Sequence, residues 1–237
     1  MTASENPKRF YKSVAVTVAE GGFAIELDGR SVKTPARAPL TLPSEALARA
    51  LAAEWDSQGE TLDMASMTLT KLANVAIDRT PANRDGMAAE LAKYAETDVV
   101  CYLAEGPTAL RERQSAAWTP WREWAGKTLN VVLLPVEGIV AAPQPSASLA
   151  AVQAHAMSLG AFRLTGLSWG CGLFGSAVLA LAVERGALPA PKALSLSCVD
   201  EDWQAEQWGV DEEAAAARGI RKAEADALQT WFDALAD

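Results

Sequence analysis

Histidine and cysteine are scarce in this sequence of 237 residues, and this scarcity limits the chemistry open to it. His155 is the single histidine, and the three cysteines, Cys101, Cys171 and Cys198, lie far apart. No Cys-x-x-Cys pair is present, so neither a zinc site nor a thioredoxin-like redox motif is supported. His155 stands at no recognisable metal-ligand spacing, and we expect no metal. The widely spaced cysteines instead predict buried free thiols in a reducing compartment.

Positive charge is also in short supply. The chain has 21 Lys and Arg against 30 Asp and Glu, which gives a formal net charge of −9. Nucleic acids and anionic membrane surfaces attract proteins mainly through Lys and Arg, so a partner of either kind is not expected. Neither a G-x-x-x-x-G-K-[ST] loop nor a G-x-G-x-x-G turn after a strand occurs, and we expect no nucleotide or other cofactor.

One long segment, between Arg163 and Glu184, carries no charge and has about the length that spans a bilayer. Its glycines, serines and threonine lower its tendency to insert, and no positive cluster flanks it. A membrane span is one interpretation. A central buried helix, packed closely through Gly166, Gly170 and Gly175, is the other, and we favour it. The N-terminus lacks the apolar stretch of a signal peptide, which indicates a cytoplasmic protein or a chain already trimmed.

The first part of the chain has the pattern of β-strands. Apolar and polar residues alternate through residues 8–40, with turn signals at Gly21-Gly22 and Asp28-Gly29. Two hairpins that form a small antiparallel sheet are the simplest interpretation.

From Pro43 onward the apolar spacing becomes helical. Leu47, Leu51 and Trp55 stand four apart, and a helix over this stretch is predicted to end at Glu54-Trp55-Asp56. Residues 99–103 are ambiguous between strand and helix, and residues 130–142 have an extended pattern. Further helices are predicted over 67–77, 82–96, 110–129, 146–160, 163–185, 189–208 and 211–236.

These patterns predict an α+β chain. A small N-terminal antiparallel β module with its helix, residues 1–79, precedes a larger, mostly α-helical domain, residues 80–237. Half of the residues are hydrophobic, which suffices for a sizeable core.

Residues 200–209, DEDWQAEQWG, combine carboxylates with two indoles. Glu201 and Trp208 are seven residues apart and share a helix face. Paired carboxylates can perform acid–base chemistry, but a charged helix face is the commoner case. Because tryptophan is enriched in binding hot spots, a protein-binding patch is the third interpretation, and it applies equally to Trp55 between Glu54 and Asp56.

A serine hydrolase is the alternative function. Gly166-Leu167-Ser168-Trp169-Gly170 fits the G-x-S-x-G nucleophile elbow, with Ser168 as nucleophile and His155 as base. The elbow needs a strand before the serine, and here a helix-like stretch precedes it. His155 also precedes Ser168, whereas that fold places the histidine after the serine.

Short motifs along essentially the whole chain resemble the F-type ATP synthase assembly chaperones, which bind the alpha subunit of the catalytic head. The N-terminal part of the resemblance lies in Arg9-Phe10-Tyr11-Lys12, Leu27-Asp28-Gly29-Arg30, Lys33-Thr34-Pro35, Pro43, Glu54-Trp55-Asp56-Ser57-Gln58, Met67-Thr68-Leu69-Thr70 and Ala76-Ile77-Asp78-Arg79. It continues in Thr97-Asp98, Cys101-Tyr102, Gln114, Trp118-Thr119-Pro120, Trp124, Glu201, Gln204 and Trp208-Gly209.

This resemblance implies a chaperone without catalysis or cofactor. Such a protein would act as a monomer in the bacterial cytoplasm, with eukaryotic relatives in the mitochondrial matrix. It would cover the free alpha subunit until the beta subunit replaces it. The partner-binding residues that we expect are Glu201, Gln204, Trp208, Gly209 and Trp55, although Trp55 also suits a structural role that holds the β module onto the helices.

Overall fold

The computed structural model describes residues 7–138, 140 and 142–235. Their contacts divide into two compact units. One unit contains the described residues up to Ala82 together with those from Thr230 onward, and the other is Asn83–Gln229.

The N-terminal unit contains a four-stranded antiparallel sheet. Strands β1 (Val14–Ala19) and β2 (Gly22–Leu27) form a hairpin, and β3 (Arg30–Ser31) and β4 (Thr41–Leu42) both pair with β2. Asp28 and Gly29 form the turn between β2 and β3, with positive φ angles of 50° and 76°. Two positive φ angles in succession are typical of the tight turn that an Asp-Gly pair favours. The predicted N-terminal sheet is therefore confirmed.

This unit also contains two helices, and the side chain of Glu54 in the first accepts hydrogen bonds from the start of the second. Helix α1 (Glu45–Asp56) buries Leu47, Leu51 and Trp55 against the sheet, as its four-residue spacing predicts. The Glu54 carboxylate then accepts hydrogen bonds from the first backbone N–H groups of helix α2 (Thr68–Asp78), at 2.7 Å from Leu69 N and 2.8 Å from Thr70 N. Burial nevertheless raises the pKa of Glu54 above its ordinary value, because desolvation outweighs these bonds.

The second unit is mostly helical, which confirms the α+β class. Its two short strands, β5 (Tyr102–Leu103) and β6 (Val136–Glu137), pair in parallel, and residues 99–101 before β5 form a 3₁₀ turn. The helices that begin in this unit are α3 (Arg84–Glu96), α4 (Thr108–Leu129), α5 (Ser146–Ser158), α6 (Ala161–Phe174), α7 (Ala177–Glu184), α8 (Ala190–Ser197), α9 (Val199–Trp208) and α10 (Glu212–Ala234). The last residues of α10, from Thr230, belong to the N-terminal unit. Every residue of α7 is buried, so this helix lies at the centre of the unit.

The single helix predicted over residues 163–185 is wrong, because the segment forms two helices. Gly175 stops α6 with a left-handed φ of 62°, and Ser176 then caps α7 by accepting a hydrogen bond from Leu179 N at 3.0 Å. The segment is buried, as expected, and no helix within the described residues is long and apolar enough to cross a membrane. The single helix predicted over 189–208 is likewise divided at Cys198 into α8 and α9.

The prediction of buried free thiols is confirmed for Cys101, Cys171 and Cys198. Burial raises the pKa of each thiol, to about 12 for Cys101. Since the thiolate is the reactive form, these cysteines are poor nucleophiles.

Candidate partner-binding surface

Helix α9 lies on the surface of the helical unit and buries only its first residue, Val199. Its charged residues repeat without an apolar stripe, so little of the helix can pack into a core. Trp208, at its C-terminal end, exposes 79% of its surface, and Val210 just beyond it exposes 69%. Gly209 ends the helix with a φ of 89°, a backbone conformation that L residues with a side chain rarely adopt.

Two grooves flank α9. The larger is a cleft of about 770 Å³ between α9 and the first half of α10, lined by Glu201, Gln204, Trp208 and Gly209 together with small residues of α10. The smaller has a volume of about 620 Å³ and lies between α9 and the loop from β5 to α4. Gln204 and Trp208 line both grooves, so they stand on the ridge between them.

Ion pairs bridge the cleft at the end away from Gly209. Arg221 of α10 donates to the Glu201 carboxylate with an Nη1–Oε1 distance of 3.0 Å, and Arg218 pairs with Asp202. The carboxylates of α9 that face the cleft are thus partly neutralised from the opposite wall.

Helix α4 anchors the other side of α9. Gln114 donates to the Asp200 carboxylate at 2.6 Å, and Arg113 pairs with Glu206 at 2.7 Å. The hydrogen bonds that Arg113 donates to the Glu206 carboxylate hold the pKa of Glu206 below its ordinary value and raise the pKa of Arg113. Since Val199 is the only fully buried residue of α9, these polar contacts contribute to holding its orientation.

The structure brings together Glu201, Gln204, Trp208 and Gly209 among the five residues singled out in the sequence. Trp55 belongs to the other unit, where it is only 7% exposed. Its ring packs edge-on against Tyr11 with 5.8 Å between the centroids, and the Tyr11 hydroxyl donates to the Trp55 carbonyl at 2.6 Å. These contacts give Trp55 a structural role in its own unit.

The residues that sequence reasoning missed here are Arg113, Arg218 and Arg221. The charges of the C-terminal helix are spread over an alanine-rich background, a pattern typical of a solvated terminal helix. The spacing of Arg218 and Arg221, three apart and therefore on one face, is the signal that could have indicated a common acidic partner.

The hydrolase elbow is not formed. Gly166, Ser168 and Gly170 all lie inside the continuous helix α6, so no strand-to-helix turn exposes the serine. His155 instead contacts the buried carboxylate of Glu184, with an Nε2–Oε2 distance of 2.9 Å, and Arg163 pairs with the same carboxylate at 2.7 Å. Burial alone would raise the pKa of Glu184, but the hydrogen bonds from His155 and Arg163 outweigh burial and lower it.

Comparison with known proteins gives a consistent result. The family model described as "ATP12 chaperone protein" matches residues 8–126. Atp12 from Paracoccus denitrificans is 42% identical, with a TM-score of 0.87 over 95% of this chain and 97% of that one.

Two further relatives share a smaller fraction of identical residues with this chain. The Atu1473 protein of Agrobacterium tumefaciens is 38% identical, with a TM-score of 0.91 over 97% of this chain and 86% of that one. The mitochondrial protein atp12 of Schizosaccharomyces pombe is 26% identical over 219 residues, which cover 87% of this chain and 75% of the relative. This chain therefore belongs to the ATP12 family of chaperones for ATP synthase assembly.

Proposed function

We propose that this protein binds the free alpha subunit of F-type ATP synthase and shields its subunit interface until the beta subunit replaces the chaperone. Obligate subunit interfaces are large and apolar, so an unpaired subunit that exposes one is prone to aggregate. A temporary cover must also leave, which favours an interface that mixes apolar and polar contacts. It acts as a monomer in the bacterial cytoplasm, without catalysis.

The observation that carries this proposal is the exposure of Trp208 on the ridge between two grooves. All eight tryptophans lie within the described residues, and the other seven are buried or half-buried. Trp208 at 79% exposure and Val210 at 69% place two large apolar side chains close together at the end of α9. Tryptophan in such a position is typical of a binding hot spot.

The contact surface that we propose is formed by Gln204, Trp208 and Gly209, with the cleft beside α10 accepting apolar side chains of the alpha subunit. Glu201 contributes by holding α9 to Arg221 across that cleft. Trp55 contributes through the packing of the N-terminal unit, because its ring is buried.

Co-expression tests the function. The alpha subunit made alone is expected to collect in the insoluble fraction. Made together with this protein, it should remain soluble and co-purify with it. An alpha subunit that stays insoluble despite a folded, abundant chaperone would contradict the proposal.

A further inference from the structure

The N-terminal unit contains a pocket of its own, with a volume of about 520 Å³. Three stretches that are far apart in the sequence line it: Phe10 and Tyr11 before β1, residues 27–33 around the β2–β3 turn, and Trp55 at the end of α1. Tyr11, Leu27 and Trp55 are buried side chains, so the apolar part of this wall is fixed by the core. A volume of this size accommodates a short peptide segment rather than a whole helix.

Trp55 forms part of the pocket wall, and its side chain is only 7% exposed. Its indole nitrogen has no hydrogen-bond partner among the described residues, but it also has no accessible surface, so a ligand in the pocket does not reach it. The Trp55 N–H resonance can therefore report occupancy of the pocket without donating a hydrogen bond to the ligand.

The rim of the pocket is positively charged. Arg30 and Lys33 are exposed, and neither forms an ion pair within the part of the chain that the structure describes. Asp28 also lines the pocket, but its carboxylate accepts hydrogen bonds from the backbone of Lys12 and from both the backbone and hydroxyl of Ser13, at 2.9–3.1 Å. The two cations are therefore available to an incoming anion, on a protein whose net charge is −9.

Phe10 extends the apolar surface outward from the pocket. Its side chain exposes 72% of its surface and stands edge-on to Tyr11, with 5.3 Å between the ring centroids. A large exposed aromatic side chain beside a preformed apolar pocket is typical of a peptide-binding surface.

We propose that this pocket binds an acidic peptide segment of a protein partner that also carries a large apolar residue. The apolar residue enters between Phe10 and the edge of Trp55, and the carboxylates pair with Arg30 and Lys33. The residues of this pocket are far from helix α9 in the sequence. Binding in the pocket therefore does not depend on which partner α9 binds.

Titration followed by NMR tests this site on the full chain. The probe is a blocked eight-residue peptide that alternates Asp and Glu with Leu and Phe, and its counterpart has Lys at every acidic position. The indole N–H resonance of Trp55, assigned by its loss in Trp55→Phe, is expected to shift with the acidic peptide and not with the basic one. Lys33→Glu should weaken binding by about tenfold, because it replaces an attraction with a repulsion.

Arg49→Glu is the matched control, since it reverses one exposed cation of the same unit outside the pocket. It should leave the affinity for the acidic peptide unchanged. Equal binding of both peptides, equal weakening by Lys33→Glu and Arg49→Glu, or a Trp55 resonance that does not move at millimolar acidic peptide would each overturn the proposal.

Discussion

Asp98 shows how a single residue can make the stability of this protein depend on pH. Its carboxylate has no exposed surface and accepts hydrogen bonds from Val100 N at 3.2 Å and Val178 N at 2.9 Å. Burial raises its pKa to about 6, although the hydrogen bonds from Ser176 and the backbone oppose that rise. The second oxygen lies at the start of the central helix α7, so this carboxylate links the 3₁₀ turn before β5 to the core of the unit.

We expect this residue to stabilise the protein more at low pH than at neutral pH. The pKa of Asp98 in the folded state exceeds its unfolded value of 3.8. Between pH 3.8 and about 6, the folded state therefore keeps Asp98 protonated, whereas the unfolded state has lost that proton. Stability from this group is then fully present below pH 4 and is lost as the pH rises through about 6. The contribution of Asp98 to the free energy of unfolding changes by about 3 kcal/mol over this range, since one unit of pKa corresponds to about 1.4 kcal/mol.

Chemical denaturation of the wild type and Asp98→Asn between pH 4 and pH 7.5 measures this effect. The variant removes the titrating group, so the stability of the wild type relative to the variant should increase as the pH falls. A difference between the two proteins that stays constant over this range would contradict the assignment.

Trp55 and Trp208 show the limit of prediction for single residues. Both stand in runs rich in carboxylates and amides, and both were expected to contact a partner, yet one is 7% exposed and the other 79%. The four-residue spacing of Leu47, Leu51 and Trp55 did place Trp55 on an apolar face. No equivalent stripe accompanies Trp208, and that absence is the physical signal for exposure.

At the scale of elements, the chain breaks helices where local periodicity alone predicts continuity. Residues 163–185 are apolar enough for every side of a helix to be buried. Their sequence pattern therefore shows no change at Gly175 that would indicate a break in the helix. The strands and helix α1 were predictable from local signals, since Asp28-Gly29 marks a turn and Ser44 caps α1 by accepting a hydrogen bond from Leu47 N at 3.1 Å. The break at Gly175 instead depends on the left-handed backbone that begins the turn into α7.

Gly175→Ala should lower the free energy of unfolding by about 1 kcal/mol, because alanine adopts a φ of 62° only with strain. Its added Cβ would meet no atom within 4 Å, so the cost is conformational rather than steric. Gly172→Ala in the preceding turn is the control. That position is helical and exposed, with Tyr94 Oη at 3.6 Å from the new Cβ, so alanine should be neutral or stabilising. Equal effects of the two substitutions in thermal unfolding would contradict this explanation.

Two ion pairs, Glu201–Arg221 and Asp202–Arg218, join α9 to α10. Glu201→Arg places two cations opposite each other, so we expect the backbone amides of α9 to exchange hydrogen about fivefold faster. Adding Arg221→Glu restores an attractive pair in the reverse orientation and should restore the slower exchange.

The same swap tests how Glu201 acts in binding. If Glu201 holds the cleft in shape, the double variant recovers capture of the alpha subunit as well as slow exchange. If the double variant has slow exchange but no capture, Glu201 contacts the partner directly, and its assignment as a positioning residue is wrong.

For the whole molecule, the family follows from many short motifs in order, whereas the shape of the candidate binding surface follows only from the fold. Gln204, Trp208 and Gly209 become a ridge between two grooves only when α10 and the β5–α4 loop lie on either side of α9. Sequence spacing can place residues on one helix face, but it cannot supply the opposite walls of a cleft. The candidate residues of α9 were therefore predictable, whereas Arg113 was not, and the spacing of Arg218 and Arg221 indicates only that they share a helix face.

The most direct test of the account is the amount of soluble alpha subunit that co-purifies with this protein when Trp208 is replaced. Val18→Ser is the control, because Val18 is 84% exposed but belongs to β1 of the N-terminal unit rather than to α9. Trp208→Ser should weaken capture by about thirtyfold, the loss of about 2 kcal/mol typical of a hot-spot tryptophan, with unfolding unchanged. Val18→Ser should capture the alpha subunit as the wild type does. Full capture by Trp208→Ser, or equal loss in both variants, would contradict a partner surface on α9.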